Sequence, residues 1–255
     1  MRKLITDGPG ARSEPAEKNK RDGSGNDRRL DGVNEAATRH RYAVDFAVDG
    51  DIRFIAHNDM VRLFARACVR AEIPVSYSAG FNPRVRLSLP CPRPVGQASD
   101  VERVLIDFRE TIETDAVVAR LQAQMPAGIT IQRATALARS DSSPPEWMLY
   151  RIHPVPADAE ALERRAALLL DSDVVEITRV RHRDQKSRVV NIRPYIDTIR
   201  VAGRELFVAM FITHSGSATP SEVCRALGME ADAINHLVRR VEIRWHEKLP
   251  NPNPT

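Results

Sequence analysis

Two hydrophobic periodicities alternate along this chain, twice in the same order, and nothing else in it constrains the fold as strongly. Tyr42-Ala43-Val44-Asp45-Phe46-Ala47-Val48 alternates with a period of two, as a half-buried strand does. Asp49-Gly50 reads as a turn, and Arg53-Phe54-Ile55 as the end of the strand. A helix capped by His57 or Asn58 follows, running to about Glu72. Met60, Phe64, Ala67 and Ala71 recur in it at helical spacing, and Pro74 stops it. Strands are predicted around Val85–Leu89 and over Val101–Phe108. A helix over Thr114–Gln124, capped by Thr111 or Thr114, and a strand over Ile129–Leu137 complete the first pass.

Ala138 to Pro145 is rich in Ser, Asp and Pro and reads as a linker. The order then returns. Trp147–His153 is a strand, Ala157–Leu170 a helix, and Val174–Arg181, Val189–Val201 and Glu205–Thr213 are strands. A helix starts at Pro220 and runs to Gly228, a further helical turn lies within Ala231–Leu237, and Val238–Trp245 is the last strand. Strand–helix–strand crossovers put the helices on one face of an antiparallel sheet. The expected fold is therefore α+β: two tandem ferredoxin-like (βαββαβ) units with antiparallel sheets. Residues 1–40 are expected as a disordered tail, 41–138 as the first unit and 139–146 as the linker. Residues 147–248 are the second unit, with a basic hairpin, and 249–255 a disordered C-terminus.

Composition narrows the function. The 255 residues include 42% hydrophobic and 28% charged side chains, enough apolar material for a core. Aromatics are 5%, which excludes a nucleic-acid surface built on many stacking rings. Cys68, Cys91 and Cys224 are far apart and form no CxxC pair, so neither a zinc finger nor an iron–sulfur cluster held by this chain is expected. Sparse cysteines and the absence of an apolar leader point to the cytoplasm. The longest apolar run, Leu206–Ile212, is too short to span a bilayer. Phosphate-loop, dinucleotide-binding, metalloprotease and nucleophile-elbow motifs are all missing. No cofactor or metal is expected. Asp100 and Glu102, two apart on a strand, read as a solvated strand end or as partners of Arg103 or Arg84 rather than as metal ligands.

Charge is more informative in its placement than in its sum of +4. His57 stands at a helix N-terminus, where it reads as a cap, a phosphate contact or a general base. Asp59 suits the first turn and can pair with Arg62. Arg62, Arg66 and Arg70, spaced by four, share one face, which is either a phosphate grip or a solvated surface. Gly80 and Asn82-Pro83 make a turn after Ser78, and Phe81 sits in it. Arg84 and Arg86 follow on one strand face beside Ser88, a credible anion-binding rim. Finally, Arg179 to Arg204 holds eight positive charges against Asp184 and Asp197. Within it Arg183, Lys186 and Arg188 belong to a hairpin tip, Arg193 follows, and Tyr195 is a candidate for stacking on a base.

Several of these strings also form a longer pattern. Arg53-Phe54-Ile55-Ala56-His57-Asn58-Asp59-Met60-Val61-Arg62, Arg66-Ala67, Arg70-Ala71, Ile73-Pro74, Ser78-Ala79-Gly80-Phe81-Asn82-Pro83, Arg86-Leu87-Ser88 and Pro94-Val95-Gly96 together resemble the radical SAM-linked protein family. Ile192-Arg193-Pro194-Tyr195-Ile196 resembles the family's DIRP segment. The resemblance covers about Arg41 to Trp245. The family is a domain of unknown function, often fused to or encoded beside a radical SAM enzyme and near genes of translation and RNA metabolism. Here Ala56 replaces the family's serine, Val85 its proline and Asn191 its aspartate. The radical SAM domain and its cysteines are absent, so the resemblance implies a radical SAM enzyme on a separate chain as partner. It implies no catalytic residues.

The expected function is a non-catalytic accessory module that binds or positions tRNA or rRNA for that enzyme. Arg62, Arg66, Arg70, Arg84, Arg86, Arg183, Lys186, Arg188 and Arg193 would contact phosphates. His57, Asp59, Ser78, Gly80, Phe81, Asn82 and Pro83 form the motif loop. One alternative is a metal-independent endoribonuclease with His57 as general base, suggested by the similar architecture of CRISPR repeat-processing enzymes. The other is a protein-interaction adaptor with no RNA contact.

Overall fold

Tyr42, Val44, Phe46 and Val48 are all buried on one side of β1 (His40–Val48), as their alternation predicts. The computed structural model describes residues 39–155, 158–180, 186–230 and 234–246. The expected tails, up to residue 38 and from residue 249, and Arg183 lie outside them. The chain does not extend past Asp49 as a strand. Asp49 accepts a hydrogen bond from the Gly50 amide and starts a 3-10 turn over Gly50–Phe54. In α1 (His57–Arg70) the buried side chains are Met60, Phe64, Ala67 and Cys68. Its cap is Ala56, which has no side-chain acceptor, so neither His57 nor Asn58 caps it. Asp59 supplies the negative charge that the first turn favours.

The next strand is shorter than its sequence suggests. Only β2 (Leu87–Ser88) pairs regularly, between the single bridge Tyr77↔Val85 and the prolines at 90, 92 and 94. β3 (Ala98–Phe108) begins before Val101 because its first two residues find another partner, described below. α2 (Thr114–Gln122) is preceded by Glu113, which makes no side-chain cap, in place of Thr111 or Thr114. β4 (Ile129–Leu137) ends the first half.

The second half holds β5 (Pro145–Ile152), α3 (Ala159–Asp171), β6 (Glu176–Val180), β7 (Ser187–Asn191), β8 (Ile196–Ala202), β9 (Glu205–Thr213), β10 (Gly216–Ser217), α4 (Pro220–Ala226) and β11 (Val238–Trp245). The predicted strand Val189–Val201 is broken by a 3-10 turn over Arg193–Tyr195, where Pro194 lacks the amide a ladder needs. Its first part pairs with β6 in a separate two-stranded sheet. α4 opens with Pro220 in its first turn and a reciprocal Thr219–Glu222 capping box.

The fold is α+β, with four helices among the described residues and one mostly antiparallel main sheet. Its order is β10-β9-β5-β11-β3-β1-β4, with β2 on β3 and β8 on β9. The order β4-β1-β3-β2 in the first half therefore recurs as β11-β5-β9-β8 in the second. The sequence leads one to expect two separate sheets. One parallel contact joins them, where Arg239 and Arg240 of β11 pair with Ala98 and Ser99 of β3.

Each half has its own core. α1 and α2 pack on β1, β3 and β4 through Phe64, Val117, Leu121, Val104 and Ile106. α3 and α4 pack on β5, β8, β9 and β11 through Leu162, Leu169, Val223, Ile152 and Val208. At the junction Arg240 and Glu102 form a fully buried ion pair, 2.7 Å apart. Burial alone would lower the Arg240 pKa. Glu102, then the Tyr150 ring and Cys91, oppose that and hold the guanidinium charged. Arg239 bridges Asp49 and Asp100 at 2.7 and 2.6 Å. Asp100 and Glu102 are thus partners of β11, not of Arg103 or Arg84.

Candidate functional site

The segment from Ser76 to Arg86 folds back on itself as an irregular hairpin. The Arg86 amide donates to the Ser76 carbonyl at 2.8 Å and the Ser78 amide to the Arg84 carbonyl at 2.8 Å. The Ser78 hydroxyl accepts from the Arg84 amide at 3.0 Å. These bonds close a tip over residues 79–83. Gly80 there has φ +124°, and an added Cβ would meet nothing within 4 Å. The position needs glycine for its backbone, not for space. Phe81, beside it, is fully exposed at 103%.

Arg84, Arg86 and Ser88 are two residues apart along a nearly extended backbone, so they project to the same side. With Arg41, Leu105 and Asp107 they line a depression of ≈ 340 Å³. Arg41 already answers the charge of Asp107, at 2.8 Å. A second depression of ≈ 280 Å³ shares Arg86 and Ser78 with the first and adds Arg39, Ser76 and Tyr77. The Arg86 Nε donates to the Tyr77 carbonyl at 2.9 Å, which fixes the guanidinium without neutralising it. The Arg84 side chain has no hydrogen-bond or ion-pair partner among the described residues. Four guanidiniums, Arg39 in one depression, Arg41 and Arg84 in the other and Arg86 in both, thus line two adjoining depressions whose one carboxylate is Asp107. Arg39 and Arg41 are the members that sequence reasoning missed, because they sit where the tail meets the first strand. Only the antiparallel pairing Arg41↔Asp107 brings them to Arg86.

The other predicted residues lie elsewhere. Arg62, Arg66 and Arg70 are exposed along α1, as their spacing predicts. Arg62 pairs with Asp59 at 2.9 Å, and Arg70 donates to the Gln124 side chain and carbonyl at 3.1 and 2.8 Å. Arg66 and Arg70 edge an open groove of ≈ 520 Å³ floored by Ile52, Ile55, Leu63 and Met125. His57 lines none of the depressions that hold these arginines. It is half-buried and lines a cavity of ≈ 10 Å³ with Met60, Leu89, Cys91, Arg93 and Glu102.

Three arginines of the basic stretch, Arg179, Arg193 and Arg200, are engaged by the fold. Arg179 makes a two-point contact with Glu222, at 2.6 and 2.9 Å, and donates to the Ser217 carbonyl. Arg193 donates twice to the Leu170 carbonyl and once to that of Ile196. Leu170 lies in the last turn of α3, whose carbonyls have no partner within the helix. Arg200 stacks over Phe207 at 4.3 Å. The Tyr195 hydroxyl donates to the Ser215 carbonyl at 3.3 Å, and its half-buried ring packs on the core. Arg188 and Lys186 are exposed on the hairpin.

Burial pushes the Cys68 and Cys224 thiols up to about 12 and that of Cys91 to about 11, which removes their nucleophilic form at neutral pH. Among the described residues no group of three or more His, Cys, Asp and Glu side chains could hold a metal ion. No described helix is long and apolar enough to cross a membrane.

The sequence model of the family described as "Uncharacterized protein conserved in bacteria (DUF2344)" matches residues 41–221. The chain belongs to this family. The matched region includes α1, the Ser76–Arg86 hairpin, Arg41 and the β6–β7 hairpin, whereas β11 follows its end. Among solved structures, this family member is similar to an unknown protein from Galdieria sulphuraria. The two are 14% identical over 83% of this chain and 99% of that one, with a TM-score of 0.23. Comparison with curated proteins gives no match.

Proposed function

We propose that this chain is a non-catalytic module that binds RNA, tRNA or rRNA, through the rim formed by Arg39, Arg41, Arg84 and Arg86. The observation that carries the reading is that four guanidiniums line two depressions sharing Ser78 and Arg86, with Asp107 as the one carboxylate in their lining. Guanidiniums fixed by carbonyls are preorganised for phosphate oxygens. Arg66, Arg70, Lys186 and Arg188 add positive surface. The motif resemblance supports a partner, a radical SAM enzyme on a separate chain in the cytoplasm, for which this module would present the RNA. We read each half as a ferredoxin-like unit, on the repeated strand order and on the two helices that pack against each half of the main sheet.

The test is retention of a total cellular RNA pool by the purified protein at low and at moderate salt. Binding should fall steeply with salt, because each neutralised phosphate releases counterions. Arg84→Ala/Arg86→Ala should weaken binding to all sequences and lower the salt slope by about one for each phosphate that is no longer neutralised. Absence of binding at low salt overturns the reading. Retention of a protein in place of RNA, stable to salt, would replace it with an adaptor.

A further inference from the structure

Phe81 is the most exposed large hydrophobic side chain among the described residues; the next, Leu168, is 69% exposed. Two backbone bonds, which together make the Tyr77↔Val85 bridge, and the Ser78 hydroxyl hold the base of the Phe81 hairpin. Gly80 supplies a conformation that lifts the tip, and Pro83 restricts the return. The fold therefore presents an aromatic ring in water, three residues from Arg84 and five from Arg86. Tyr195, for which the sequence suggests stacking, is packed and its hydroxyl is bonded internally, so the fully exposed ring is that of Phe81.

We infer that Phe81 stacks on an unpaired base, so that the module selects single-stranded or looped RNA over duplex. The inference rests on the RNA reading above and adds the class of RNA to it. A ring beside guanidiniums is the pairing that single-strand binders use, with phosphates held by charge and a base held by its face. In an A-form duplex the bases are stacked, and the deep, narrow major groove keeps side chains out. A ring at a hairpin tip reaches a base only where the strand has opened. The positive rim favours this occupant over an apolar pocket on another protein, which Arg84 and Arg86 would not recognise.

The test compares a fluorescently labelled oligouridylate with an RNA duplex of the same length, by anisotropy at several salt concentrations. The proteins are the wild type, Phe81→Ala, Phe81→Trp and Arg84→Ala/Arg86→Ala, all as the full chain. The single strand should bind more tightly than the duplex. Phe81→Ala should lose about ten- to a hundredfold for the single strand and almost nothing for the duplex, with an unchanged salt slope and thermal midpoint. Phe81→Trp should restore binding and show quenched emission on mixing. If Phe81→Ala binds the single strand as the wild type does, or loses equally on both RNAs, stacking is wrong while the phosphate rim stands. If neither RNA binds, or if Arg84→Ala/Arg86→Ala leaves affinity and salt slope unchanged, the RNA reading itself fails and the inference falls with it.

Discussion

The rim around Ser78 and the stretch from Arg179 to Arg204 are made of the same residue type and use it in opposite ways. By sequence the stretch is the more basic, with eight cations against two acids. In the structure Arg179 closes an ion pair, Arg193 caps a helix and Arg200 covers a ring. The rim has fewer cations, yet Arg84 is without a partner among the described residues and Arg86 is fixed only by a carbonyl. Charge density along a sequence counts cations. Availability depends on how many carbonyls and carboxylates the fold brings to each one.

The sharpest way to press this contrast is to add a third case, the arginine in the core. Arg240 and Glu102 are 2% and 3% exposed. Arg240→Leu leaves the Glu102 carboxylate buried without its hydrogen-bonded partner, with only the nearby charge of Arg93 to oppose it, which should cost about 3–5 kcal/mol in urea denaturation. Replacing both by apolar residues of similar volume should recover most of that loss. A loss below about 1 kcal/mol for Arg240→Leu would show that the junction of the two halves opens to water.

A smaller effect is expected at Arg193. Arg193→Ala strips two carbonyls, Leu170 and Ile196, of three hydrogen bonds. The cost should be about 1–3 kcal/mol, with α3 fraying first by hydrogen exchange. If Arg193→Ala were neutral in stability but reduced RNA retention, the contrast between the two basic regions would be reversed.

Arg179 and Glu222 add a pH dependence. Burial pushes the Glu222 carboxyl up. The bond from Arg179 and those from Thr219 together outweigh it and hold the group below its usual value. A carboxylate depressed in the folded state stabilises the fold fully above the unfolded value of 4.5, and that stability is lost as pH falls through the lower folded value. Thermal midpoints should therefore drop on the acid side of pH 4.5, and Glu222→Gln should flatten that limb. The slope is modest because Arg179 is 37% exposed and solvent screens the pair.

Local patterns made much of this legible. The alternation of β1, the apolar stripe of α1 and the Pro220 start of α4 are all properties of a few neighbouring residues, and each appears where its pattern predicts. What was not legible depends on partners far along the chain. Ala98 enters β3 beside Arg239, and Ser99 is shared between Val48 of β1 and Arg240 of β11. The buried carboxylate Glu102 reads as a strand end until β11 covers it. Arg39 and Arg41 join the candidate site only through the β1–β3 register. His57 reads as a cap by sequence, but it stands one residue inside the helix and the cap position falls to Ala56.

The smallest stability effect belongs to the rim, and it is the most discriminating. Arg84 makes its hydrogen bonds with the Ser78 hydroxyl and amide through its own backbone, not its guanidinium. Arg84→Ala keeps both and should change stability by no more than about 0.5 kcal/mol. A residue that costs nothing to remove from the fold, yet lowers RNA affinity and salt slope, is held there for something outside the fold. Arg193→Ala should behave in the opposite way, destabilising the protein while leaving the salt slope of the remaining folded fraction unchanged. Measuring melts and salt titrations on this pair separates cations that build the structure from those that address a ligand. Equal behaviour of the two variants in both assays would end the distinction.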